Sequence, residues 1–157
     1  MKGIFLYGTL LASVFSVSIG SADERVSFGL GMGALYNGLG ANVGFMKGPD
    51  LKYVSLGCIS VAYSSNNGAS SNCGLGAGWM RSDILSGNGR HGLGIHVGVT
   101  YNTHDERDDV EVFVGVPYAY FFKGMTAATW HVGLTPILGR HDGDLDGGLL
   151  LNLGYQF

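Results

Sequence analysis

Leu149-Leu150-Leu151-Asn152-Leu153-Gly154-Tyr155-Gln156-Phe157 closes the chain, and the spacing of its side chains decides the fold. Successive residues of a strand point to opposite faces. Leu149, Leu151, Leu153, Tyr155 and Phe157 therefore share one apolar face. The other carries Gly148, Asn152, Gly154 and Gln156, small or polar, with Leu150 the exception. Apolar outward, small and polar inward, ending on an aromatic, is the pattern of a strand in a bacterial outer-membrane barrel.

The same alternation runs back through the chain and predicts eight antiparallel strands of about ten residues each. Val26 to Tyr36 is the first, turned by the hairpin signal Asn37-Gly38. Leu39 to Phe45 is the second, and Leu51 to Tyr63, apolar on parts of both faces, the third. After a polar loop, Ser64 to Asn72, come Cys73 to Trp79 and Leu93 to Tyr101. A charged loop, Thr103 to Asp109, leads to Val110 to Phe122, then Ala128 to Leu134, and the loop Gly139 to Asp146 leads to the closing strand.

Alternation alone does not separate a soluble barrel from a membrane one. Two features do. The non-apolar faces hold Gly, Ser, Thr and Asn with almost no Lys or Glu, an unsuitable surface for water. The aromatics sort into two belts, Tyr36, Tyr63 and Tyr101 at the outer ends and Phe45, Tyr53, Trp79, Phe122, Trp130, Tyr155 and Phe157 toward the inner ends. Glycine is abundant, 28 of 157 residues, and charged residues are 13% of the chain against a usual share of about 25%. An eight-stranded barrel encloses only enough space for side chains, so His96, Glu111, His131, Phe113, Phe121, Met46 and Met80 are expected to fill the lumen.

Met1-Lys2-Gly3 followed by an apolar run to about Val17 and small residues up to Ala22 reads as a secretory signal peptide over residues 1–22, leaving 23–157 as the barrel. The formal charge of -3, near -4 without Lys2, and the lack of a basic stripe speak against nucleic acid as a partner. Cys58 and Cys73 flank the third loop. An oxidising compartment permits a disulfide between them, although symmetric pairing about that loop sets Cys73 opposite Ala62 and a bulge or loop shift is then required. Two buried free thiols are the alternative.

In these features the chain resembles the small eight-stranded outer-membrane proteins, the family of the outer membrane protein A and X barrels. The resemblance implies a monomer in the outer membrane of a Gram-negative cell envelope, in contact with lipid and lipopolysaccharide. It also implies that Leu153, Tyr155 and Phe157 form the signal read by the barrel-assembly machinery. The expected role is structural or interactive, without a cofactor. A lipid A or phospholipid-modifying enzyme and a narrow solute channel are the alternatives. For the enzyme, His96 and His131 lack the serine two positions on that resembling deacylases carry, Gly98 and Gly133 standing there instead, and Glu111 pairs near Tyr101, away from His96. One further motif stands out. Asp142, Asp144 and Asp146, with Gly147 at the sixth position, match the start of a calcium loop, but Leu153 occupies the twelfth position where a bidentate Glu belongs. Weak Ca²⁺ or Mg²⁺ binding is set against a solvated acidic turn.

Overall fold

The computed structural model describes residues 24–64, 68–104, 107–141 and 144–157, with side chains apart from 59–71, 102–109 and 141–144. It is an all-β, closed, eight-stranded antiparallel barrel. The strands are β1 (Glu24–Gly33), β2 (Gly38–Lys47), β3 (Asp50–Ser64), β4 (Gly68–Arg81), β5 (His91–His104), β6 (Arg107–Gly115), β7 (Tyr118–Phe121), β8 (Thr129–His141) and β9 (Asp144–Gln156). β6 and β7 are two halves of one wall strand. Pro117, which has no N–H to give to the ladder, separates them, while the register against β5 passes through unchanged from His96↔Gly115 to Leu93↔Tyr118. With β6 and β7 counted as one, each strand pairs with its neighbours in sequence, and β9 closes on β1 through Met32↔Leu153 to Gly29↔Gln156.

Following partners from Leu30 through Ala41, Leu56, Leu75, Val99, Val112 and Arg140 leads to Leu145. Leu30's direct partner on that strand is Tyr155, so one circuit climbs ten residues, from 155 to 145. A stagger of this kind tilts the strands by roughly 35–45° from the barrel axis.

The faces sort as the alternation requires. Phe28, Leu30, Leu56, Leu75, Ile95, Val114, Leu138 and Leu151 point away from the lumen and are exposed, and Ser27, Asn42, Ser55, His96, Thr100, His131, Thr135, Asn152 and Gln156 point into it and are buried. Strand ends differ from expectation at the outer side. β3 and β4 pair through to Ser64↔Gly68, β5 and β6 through to His104↔Arg107, and β8 and β9 through to His141↔Asp144, so stretches read as loops are strand.

Candidate functional site: a plugged barrel interior

The first hairpin fills the lumen. β1 stops at Gly33, and Ala34–Tyr36 make a single 3-10 turn that folds inward, leaving Ala34, Leu35, Tyr36 and Asn37 fully buried. This corrects the expectation that Tyr36 ends a strand in the outer aromatic belt. Asn37-Gly38 does mark positive φ, as the hairpin signal requires: Asn37 sits at φ 53 and Gly38 at φ 107. Gly33, also at φ 107, adds a second left-handed bend, and the two bends take the chain out of the wall and return it.

The turn's backbone groups find partners inside. Ala34 N–H donates to Asn152 Oδ1 at 2.8 Å, Leu35 O accepts from Asn42 Nδ2 at 3.2 Å, and Asn37 N–H donates to Ala34 O at 3.1 Å. Tyr36 Oη lies 2.5 Å from His131 Nε2, the two rings stack with centroids 5.6 Å apart, and Phe121 packs on the same imidazole at 5.1 Å. The glycines around Tyr36 are required by its bulk. A Cβ on Gly154 would lie 2.3 Å from Tyr36 Oη, and one on Gly31 would lie 2.5 Å from its ring. These glycines are thus the mould for an inserted aromatic, while Gly74, Gly94 and Gly133 meet the backbone of the neighbouring strand.

A second tyrosine–histidine pair lies across the lumen. Tyr53 Oη is 3.0 Å from His96 Nδ1, with ring centroids 5.8 Å apart and Phe113 against the imidazole at 5.6 Å. Tyr53 is only 3% exposed, so it belongs to the interior rather than to the inner belt. Toward the inner end, Gln156 Nε2 donates to Ser27 Oγ at 2.7 Å and to Asn42 Oδ1 at 3.2 Å, while Leu51, Met46, Met80, Phe121 and Met125 close the floor.

His96 and His131 thus reach the lumen as expected, each held by a tyrosine. Glu111 opposes Thr100, one position from the expected Tyr101 and well along β5 from His96. Among the described residues no serine, histidine and acid come together in line. Sequence reasoning missed Tyr36 and Tyr53 as the partners of the histidines. The available signal was the glycine surplus opposite them, which said that something large enters.

Cys58 and Cys73 are direct partners across β3 and β4 and form a disulfide, Cα to Cα 3.8 Å. The turn is centred between Ser64 and Gly68, nearer the N-terminal end of the polar segment than symmetric pairing assumed, and the register shifts between Cys58 and Ser60. Of the acidic motif, Asp142 and the side chain of Asp144 lie outside the described residues. Asp144 and Asp146 belong to β9 rather than to a loop, and Asp146 Oδ1 accepts from Gly147 N–H at 2.8 Å. Among the described residues no group of three or more His, Cys, Asp or Glu side chains converges. Leu153 and Phe157 are exposed on the outer face and Tyr155 is half-buried there, edge-on to Trp130 and Phe157 at 5.3 and 4.9 Å.

Above the plug a cavity of about 350 Å³ remains, with Thr100, Glu111, Phe113, Ile137, Asp146 and Gly148 among its lining. No protein-family model, curated protein or solved structure matches the chain.

Proposed function

We propose that the chain is an integral outer-membrane protein, a monomeric barrel whose lumen is closed and whose role at the cell envelope is structural or interactive. The observation that carries this reading is the outer face. From Val26 to Leu153, the side chains on its middle band are apolar: Val, Leu, Ile, Phe and Met, with Ala41, Ala77 and Pro136 among them. Charged residues on that face, Lys47, Lys52, Arg81 and Arg140 among them, stand toward strand ends. Exposed Trp79, Phe122, Trp130 and Phe157 gather at the inner end, where an aromatic belt meets the lipid headgroups. A water-facing sheet would expose an apolar surface far beyond the few hundred Å² that soluble monomers carry. Lipopolysaccharide and lipid are the partners in this reading, and Leu153, Tyr155 and Phe157 address the chain to the assembly machinery.

The plug favours a closed barrel over a solute channel. Heat-modifiable migration on a gel, with fractionation into the outer membrane, tests the location, and recovery of folded protein from a detergent-free periplasmic extract would overturn it. Planar-bilayer recording tests the plug: no steady conductance is expected, and a steady single-channel current would refute closure.

A further inference from the structure

The wall is incomplete above the plug. The last β2–β3 partners are Leu39↔Cys58, yet β3 continues for six residues, to Ser64, paired there to β4. On the other side the last β1–β9 partners are Met32↔Leu153, and β9 extends nine residues beyond, to Asp144, paired there to β8. The β1–β2 hairpin that would stand between these two edges ends at Gly33↔Gly38, because its tip has turned into the lumen. Among the described residues nothing else lies between β3 and β9 at this height. The notch is two strands wide and, at about 3.3 Å per residue, roughly 20 Å long on the β3 side.

Exposure follows the notch. Along the inner half of β9 buried and exposed residues alternate, but Leu145, Asp146, Gly147, Gly148 and Leu149 are all exposed, lumen-facing and outward-facing alike. On the far wall the lumen-facing Phe113 is 6% exposed. Among the described residues, lumen-facing Asp146 and Gly148 beside the notch are more exposed than Phe113 opposite. Leu150, the residue that breaks the polar face of the closing strand, points inward on this stretch opposite Thr135, and it gives the notch an apolar sill. Behind it lies the 350 Å³ cavity with Phe113 and Ile137. A larger apolar hollow, about 840 Å³, shares Ile137, Gly147 and Gly148 with it and lies mainly on the outward face, where Ile95, Val97, Val114, Val116 and Leu138 line it.

We propose that the notch is a lateral doorway through which one acyl chain of an outer-leaflet lipid enters the lumen and lodges above the plug. The occupant follows from position. Leu39, Leu56, Leu149 and Leu151, between 61% and 74% exposed, flank the opening on the outer face. In a barrel seated in lipid, what stands against that band is hydrocarbon, and a slot with Leu150 as its sill and Phe113 and Ile137 behind it receives a chain rather than a headgroup. The plug forms the floor, so the chain enters and leaves from the side. Glu111, Thr100 and Asp146 lie at the cavity's upper end, near the rim, where a headgroup would remain.

The inference rests on the membrane reading, and its test separates the two. The full chain is refolded into phosphatidylcholine vesicles carrying a diazirine at the acyl terminus, irradiated, and mapped by peptide mass spectrometry. Label on outward Leu56, Leu75 and Leu134 together with inward Phe113, Ile137 or Leu150 is expected. Label on the outward set alone overturns the doorway and leaves the membrane reading standing, and label on neither set overturns the membrane reading and the doorway with it. Gly148→Phe narrows the opening, its first carbon meeting Ile137 Cγ1 at 3.3 Å. Loss of inward label with outward label retained is expected. Should that variant fail to give a heat-modifiable band, Gly139→Phe, with nearest atoms at 3.4 and 3.6 Å, makes the same comparison from within the cavity. Inward label that survives the folded variant refutes the route.

Discussion

Leu75→Arg puts the orientation of the wall to the sharpest test. Leu75 is 64% exposed on the outer face, flanked in register by Leu56 on β3 and Val99 on β5, and lies four positions along β4 from Trp79 of the inner belt. At about 3.3 Å per residue and a tilt near 40°, that is roughly 10 Å above the belt, close to the middle of an apolar band about 25 Å tall. An arginine there costs about 2–4 kcal/mol in lipid, whereas on a water-facing surface it would change stability by no more than about 0.5 kcal/mol. In the membrane reading, depth explains why Lys52 is tolerated: its register partner is Trp79 of the inner aromatic group. Urea titration of the heat-modifiable band in phosphatidylcholine vesicles measures the difference, with Gly87→Arg as control, since a side chain at Gly87 meets nothing within 4 Å. A loss below about 0.5 kcal/mol for Leu75→Arg would refute the outward placement of the apolar face.

Four further outcomes follow from the interior and the turns. Tyr36→Phe leaves His131 Nε2 without its partner, and the same titration should lose about 1–3 kcal/mol. Gly154→Ala drives a methyl into the fully buried Tyr36 side chain, whose hydroxyl is held by His131, so a loss of about 1–3 kcal/mol is expected, with Gly87→Ala close to neutral. Cys58→Ser removes a cross-link over a separation of 15 residues, worth about 3 kcal/mol by loop entropy, and non-reducing gel mobility should cease to depend on reductant. At the inner turn, hydrogen bonds from Arg81 at 2.9 and 2.7 Å hold the Asp83 carboxyl below its ordinary value. The contribution of that pair is present at neutral pH and fades as pH falls through the lowered value, and NMR titration should show Asp83 returning toward the ordinary value in Arg81→Gln.

The alternation carried the architecture a long way because the outward and lumen-facing sides of a strand impose opposite demands on neighbouring residues. Val110, Val112, Val114 and Val116 could be assigned to one face on sight. The signal fades where both faces meet water. Asn72, Thr103, His104, Arg107 to Asp109, Gly139 to His141 and Asp144 to Asp146 are polar or glycine apart from Leu145, so they read as loops although their backbones are paired. Tyr36 and Tyr53 were misplaced for a different reason. An aromatic at a strand end satisfies a headgroup belt and a lumen mould equally well by local sequence, and only its neighbours across the barrel, His131 and His96, decide between them.

What the amino-acid order determined alone is the barrel itself, its inside and its outside, and an interior lined with histidines, amides and glycines, since each is a period-two property of single strands. The inward turn of residues 34–37, the Cys58–Cys73 pairing and the notch between β3 and β9 were decided by tertiary structure. They depend on stagger around the closed sheet and on contacts between residues far apart in the chain, such as Ala34 with Asn152 and Tyr36 with His131, and no local pattern encodes which of those distant groups will meet.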